Sequence, residues 1–252
     1  MHACTVVDFV GRYHGDTGVD STTATDSQVD TESQVDTASS LPTADECETK
    51  YSTALFCEGF ENGLPTNQRR LNGTLNISTT QVHTGSASLQ AITHEANSIS
   101  SIVTSFPPMY DGTLYYRVYV YLHNAARAKL IGFEGVNPDN EEIEDTVDIS
   151  ITDDHRLAVY NHNDIRTFLS VSQQHLDNEW FCMHGKVEIS QSGLVDVGIN
   201  GTSMVTTDRH STVPEHGCSA VAFGIVWSGE VEIEKQVFID NIVVDSQPVA
   251  CD

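Results

Sequence analysis

The chain has 252 residues, of which 36 are acidic and 12 basic, for a formal net charge of −24. Such a surface excludes nucleic-acid and anionic-membrane partners as an expectation, because both are held by a basic face. The charge also opposes a polyanionic polysaccharide unless a local basic patch overrides it. No apolar run approaches the roughly 20 residues that cross a bilayer, so no membrane span is expected.

Residues 1–46 read as an acidic Ser/Thr-rich tail. Cys4–Tyr13 could form one short strand, and Ser27-Gln-Val-Asp-Thr repeats at Ser33-Gln-Val-Asp-Thr. This composition cannot bury enough apolar surface to offset its ordering entropy, so a solvated tether is the default. The strand at 4–13 offers a route to self-assembly, by docking on another subunit's sheet edge. Met1-His-Ala-Cys4 resembles the end of a lipoprotein signal without its apolar region.

The domain is expected over residues 47–252. A first strand covers Thr53–Glu61 and turns at Asn62-Gly63; Leu75–Gln81 and Ser86–His94 follow. Ser98–Phe106 is stopped by Pro107-Pro108. Next comes the most regular stretch, Gly112–His123. Read with period two, Tyr115, Arg117, Tyr119, Tyr121 and His123 share one face, and Leu114, Tyr116, Val118, Val120 and Leu122 the other.

Ala128–Glu134 is a strand, and Asn137–Asp145 an acidic loop. Thr146–Thr152, Arg156–Asn161, Arg166–Val171, Glu179–Ile189, Leu194–Ile199, Ser219–Trp227, Glu230–Ile233 and Gln236–Val244 complete the set. No amphipathic helix is legible. A dozen or so short alternating strands with Gly, Asn, Asp and Pro punctuation predict an all-β, two-sheet antiparallel sandwich.

Six cysteines without CxxC spacing point to disulfides in an oxidising compartment, hence to a secreted or cell-surface protein. Cys182–Cys218 is the pairing expected within the domain, with Cys47, Cys57 and Cys251 competing near the termini. Asn72, Asn76 and Asn200 head glycosylation sequons.

Ala54–Gly63, Val82–Leu89 and Val237–Val244 together resemble the concanavalin A-like lectin/glucanase jelly rolls, and carbohydrate-binding modules that open and close with similar segments. Glu179–Cys182 and Gly193–Gly201 resemble the middle of secreted bacterial proteins of that superfamily. The resemblance covers about residues 50–252 and implies the sandwich far more specifically than any activity. It also implies a structural Ca²⁺ held by Glu61 and Asp240, with Gly63 and Ser86 as carbonyl donors.

For function, the aromatic and hydrogen-bonding row suits a sugar: flat rings for apolar sugar faces, donors for hydroxyls. A non-catalytic glycan-binding site at Tyr115, Arg117, Tyr119, Tyr121 and His123, with His184 beside them, is the leading expectation. Tyrosine is also simply a good strand residue on a wet face. The different-class alternative is a structural or adhesive subunit using residues 4–13.

The enzyme alternatives have less behind them. The acidic segment Glu142–Asp148 lacks the spacing of a glucanase carboxylate pair. A lyase would need a Tyr or His base and an Arg, which the row and His184 could supply with Lys186 and Trp180. Asn161-His-Asn-Asp164 reads equally as a binding loop or a hairpin turn, and Trp180 and Trp227 as sugar platforms or core.

Overall fold

The computed structural model describes residues 46–251, apart from 141, 164, 171–175 and 230–233. The tail, the strand expected at 4–13 and the one expected at 230–233 lie outside the described residues. A single helical turn, α1 (Glu46–Thr49), precedes fifteen strands. They are β1 (Phe56–Glu58), β2 (Gln68–Leu71), β3 (Gly73–Ser78), β4 (Ser88–Thr93), β5 (Ile99–Met109), β6 (Gly112–His123), β7 (Ala128–Val136) and β8 (Ile143–Ile151). β9 (Leu157–Asn161), β10 (Arg166–Leu169), β11 (Trp180–Ile189), β12 (Val195–Ile199), β13 (Thr202–Thr206), β14 (Cys218–Ser228) and β15 (Lys235–Asp245) follow.

The strands form two antiparallel sheets, as the sequence predicts. One runs β13-β12-β11-β6-β15-β4-β3, with β1 also on β15; the other runs β10-β9-β8-β7-β14-β5-β2. β4 pairs with residues 235–239 of β15 and β1 with 242–244, so these two strands lie end to end along one edge of β15.

The core lies between the sheets. Leu114, Tyr116, Val118, Val120 and Leu122 of β6 point into it, facing Val147, Ile149, Val159, Val221 and Phe223 of the opposite sheet. The inward half of the β6 alternation is therefore the core half. Two-residue periodicity and burial agree because a pleated strand puts successive side chains on opposite faces.

Three expectations change. Pro107-Pro108 does not stop β5, which runs on to Met109. Its partner β2 pairs only with residues 99–102, and the register on β14 slips between Ser105 and Met109. The prolines thus sit in an irregularity on a free edge, where no ladder amide is needed. The acidic segment is not all loop: β8 begins at Ile143 and carries Asp145 and Asp148 into the sheet.

Among the described residues the disulfides are Cys47–Cys57 and Cys182–Cys251, and Cys218 is a free, buried thiol. The expected Cys182–Cys218 bond is corrected by topology. Cys182 faces outward on β11 of one sheet, whereas Cys218 lies in β14 of the other and belongs to the core. Burial pushes the Cys218 thiol up to about 12, which leaves it inert at neutral pH.

Candidate functional site

The β6 row does share one outward face, and β11 lies directly beside it. His184 sits opposite Arg117, Lys186 opposite Tyr115, and Trp180 opposite Tyr121. The row is nonetheless not a continuous open surface. Arg117 has 0 % exposure. Its guanidinium donates to both Glu46 carboxylate oxygens, at 3.1 and 2.5 Å. It also reaches the Tyr51 hydroxyl and the Ala250 carbonyl, each at 3.4 Å. His83 stacks on Tyr119 with ring centroids 3.7 Å apart, leaving Tyr119 only 7 % exposed.

Segments flanking the sheet therefore cover the centre of the row, which no single-strand periodicity can foresee. What stays accessible is divided. Tyr121 forms a half-buried aromatic patch with Trp180 and Phe238, at 5.7 and 5.8 Å. His123 lies exposed beside it, its Nδ1 2.9 Å from Asn178 Oδ1. Tyr115 and Lys186 lie beyond the covered part, whereas His184 stands opposite Arg117 with its Nε2 buried. Burial, with the positive charge of Arg117 adding to it, lowers the His83 pKa; burial alone lowers that of His184.

A second constellation, on the outward face of the other sheet, was not legible as a unit. Its members alternate with core residues on five strands: Arg69 (β2), Lys129 and Glu134 (β7), Asp145 and Asp148 (β8), Tyr160 (β9) and Trp227 (β14), with His162 just past β9. Arg69 Nη1 donates to both oxygens of Glu134 at 2.6 and 2.7 Å. Asp148 accepts from the Lys129 ammonium and lies 2.6 Å from His162 Nε2. Lys129 stands between the rings of Tyr160 and Trp227, 5.7 Å from each centroid.

The two carboxylates are pushed apart in acidity. Burial drives the Glu134 carboxyl up to about 7, against the pull of Arg69 and with the charges of Asp145 and Asp148 adding to it. Burial would also raise Asp148, but the His162 hydrogen bond and the Lys129 charge prevail and hold it below the usual range. Both are 1 % exposed, whereas Arg69, Lys129 and His162 keep about a quarter of their side-chain surface in solvent. The acids are thus the buried layer that fixes three cationic or hydrogen-bonding heads at the surface.

Between them, Gly132 leaves little room for a side chain. A Cβ there would meet Asp148 Oδ1 and Glu134 Oε1 at 3.3 Å each, so those oxygens are at most about twice that distance apart. The Asn161–Asn163 turn is a hairpin turn, closed by Asn161 Oδ1 accepting from the Asn163 amide, and it anchors to Ser211 and Val213. Of that tetrapeptide only His162 joins the cluster, and Asp164 lies outside the described residues.

Glu61 and Asp240 converge on one turn. Asp240, with 0 % exposure, accepts from the amides of His83, Thr84 and Asn241, and Glu61 accepts from the Ser86 amide and hydroxyl. Burial, with the Glu61 charge adding to it, pushes Asp240 up to about 7. Gly85, with φ +75°, lets the turn close onto Glu61. Gly63 has positive φ and no atom within 4 Å of its missing Cβ, and stands at the following bend. Two hard-oxygen groups at one point suit a divalent cation. The amide donors that already face both carboxylates give the turn closure without one.

No protein-family model matches the chain, and no curated protein matches it. Solved structures do resemble it. A cellulose-induced protein, Cip1, aligns over 78 % of this chain and 100 % of its own, with a TM-score of 0.57 and 17 % identity. An endo-β-1,4-glucuronan lyase from the fungus Trichoderma reesei aligns over 77 % and 96 %, with a TM-score of 0.61 and 13 % identity. A carbohydrate esterase from the Shiga toxin-encoding bacteriophage phi24B aligns over 76 % and 97 %, with a TM-score of 0.53 and 17 % identity. At these identities the likeness is one of fold: the chain is a two-sheet β-sandwich of the kind these three proteins share.

Proposed function

We propose that the chain binds polysaccharide through the outward face of the β10-to-β2 sheet. The observation that carries this reading is the row Arg69, His162 and Lys129, held by buried Glu134 and Asp148 and flanked by Tyr160 and the 37 % exposed Trp227. Rigid donors between aromatic faces suit a sugar chain: rings take its apolar faces, and pre-positioned cations take its hydroxyl or carboxylate oxygens without ordering cost on binding. The fold likeness to a glucuronan lyase and a carbohydrate esterase supports a saccharide ligand. The two disulfides suit the oxidising exterior where such ligands are met.

Affinity electrophoresis against a panel of neutral and acidic polysaccharides tests this. Trp227→Ala is expected to weaken binding about tenfold, the equivalent of about 1.4 kcal/mol. Equal retardation of the two proteins on every polysaccharide that retards the wild type, or no retardation of the wild type at all, overturns it.

One observation favours a catalytic version of the same site. Asp148 fixes an imidazole, and Arg69 stands in the same row. On a uronate, such a base takes the ring proton α to the carboxylate, the C–O bond to the glycosidic oxygen β to that carboxylate breaks as a ring double bond forms, and the leaving oxygen takes a proton from water. New ultraviolet-absorbing ends, lost in His162→Ala, are the signature; binding without them identifies the non-catalytic form.

A further inference from the structure

The other sheet carries a feature that the ligand surface above does not use. We propose that Arg117, Tyr119, Tyr51 and His83 form a pocket for a carboxylated sugar, which the chain closes with its own Glu46 in the place of the ligand's carboxylate. The pocket lies on the opposite sheet and does not depend on the polysaccharide surface already assigned.

Arg117 belongs to an outward row, not to the core, yet it is wholly buried. Among the described residues, its cover is one helical turn with no buried residue of its own, followed by Tyr51, together with the carbonyl of Ala250. Glu46 keeps 27 % of its side-chain surface in solvent while Arg117 keeps none, so the carboxylate enters from the solvent side. It meets both terminal nitrogens of the guanidinium, the two-pronged contact by which arginine takes up free carboxylates.

The surroundings exceed what an internal ion pair requires. The guanidinium carbon lies 5.0 Å from the Tyr51 ring and 5.4 Å from the Tyr119 ring. His83 is stacked on Tyr119 and meets Trp180 at 62°, with ring centroids 5.6 Å apart. His83 Nδ1 is buried without a hydrogen-bond partner among the described residues. A guanidinium between aromatic faces, with an unused imidazole nitrogen beside them, matches a pyranose ring bearing a carboxylate and hydroxyls.

The closing segment is tethered rather than packed. Cys47–Cys57 ties it to β1, and Lys50 offers Glu46 a second cation at 3.4 Å. A tethered group competes at an effective concentration on the order of millimolar or more, so a free carboxylated sugar sees a pocket that is mostly filled. Removing the internal carboxylate then raises apparent affinity by the inverse of the open fraction.

The test uses the full chain, with sodium glucuronate as probe and glucose as the neutral control. Binding is read by ligand-observed NMR, and access to Arg117 by phenylglyoxal labelling with peptide mass spectrometry. In the wild type, Arg117 is expected to stay unlabelled and glucuronate to bind weakly. In Glu46→Ala, Arg117 becomes labelled, glucuronate but not glucose protects it, and glucuronate affinity rises about tenfold or more.

A folded Glu46→Ala protein in which Arg117 remains unlabelled, or is labelled without any preference for glucuronate, overturns the proposal. If Glu46→Ala fails to fold, Cys47→Ser/Cys57→Ser frees the same segment with Glu46 intact. Glucuronate-protected labelling there supports the pocket. Arg117 that stays unlabelled there, or is labelled without protection by glucuronate, overturns it.

Discussion

Removing each disulfide in turn probes the described body most sharply, because the two bonds close loops of very different length. Cys182–Cys251 spans 69 residues and Cys47–Cys57 spans 10. Loop-closure entropy in the unfolded chain gives about 4.4 kcal/mol for the first and about 2.7 kcal/mol for the second. The longer loop also holds the chain end whose Ala250 carbonyl accepts from Arg117. Cys182→Ala/Cys251→Ala is therefore expected to lower urea-derived stability by roughly 4 kcal/mol, and the melting temperature by roughly 9–18 °C for a body of this size. Cys47→Ala/Cys57→Ala should cost clearly less. Both variants would be unfolded in urea with two independent probes to check two-state behaviour. An equal or larger loss from the shorter loop would refute the entropic ordering and place the stabilisation in the folded contacts of α1.

Other outcomes follow from the charged groups. Glu134 and Asp240 both have folded pKa values of about 7, above their unfolded values, so the folded state binds protons more tightly and stability falls as pH rises from about 4.5 to about 7. The melting temperature should be higher at pH 5 than at pH 8, with a shallower slope in Glu134→Gln; a flat or opposite profile contradicts the burial of these two carboxyls. Arg69→Met leaves Glu134 buried without its cation, and should cost about 3–5 kcal/mol at pH 8 but less at pH 5, as read by denaturation at the two pH values. If the Glu61–Asp240 turn takes up Ca²⁺, millimolar Ca²⁺ should raise the melting temperature of the wild type and not of Asp240→Asn. Iodoacetamide should leave Cys218 unmodified in the native protein and alkylate it after unfolding, as counted by mass spectrometry.

The sandwich was legible because a sheet with one buried face imposes period two on its sequence, and Leu114–Leu122 and Val147–Ile151 obey it. Asp148 shows the limit. It fell in the expected strand Thr146–Thr152, but Asn137-Pro138 and the five acids from Asp139 to Asp145 made the approach to it read as a solvated loop. What holds a carboxylate in the sheet is Lys129 from β7 and His162 from beyond β9, and such a pairing across strands leaves no mark within any one of them. Arg117 fails in the opposite way. Its strand and face were correctly read, yet exposure was decided by Glu46, Tyr51 and Ala250, distant in sequence and neutral in pattern. The cysteines, scattered along the chain, carry no pairing information either; only knowing which strands neighbour the chain ends selects Cys251 for Cys182.

The position of β15 bears on how such a molecule comes into being. Lying between β6 on one side and β4 with β1 on the other, it is the keystone of its sheet, although it follows every other described strand in sequence. Until it is made, β6 and β4 expose unsatisfied ladder edges, and no earlier portion of the chain can close the sheet in its absence. Folding therefore waits for synthesis of nearly all of the described body, and then proceeds through long-range pairings that are intrinsically slow. Cys251 follows that last strand, so Cys182–Cys251 can form only after the keystone has been made, and the bond then fastens a sheet that is already closed.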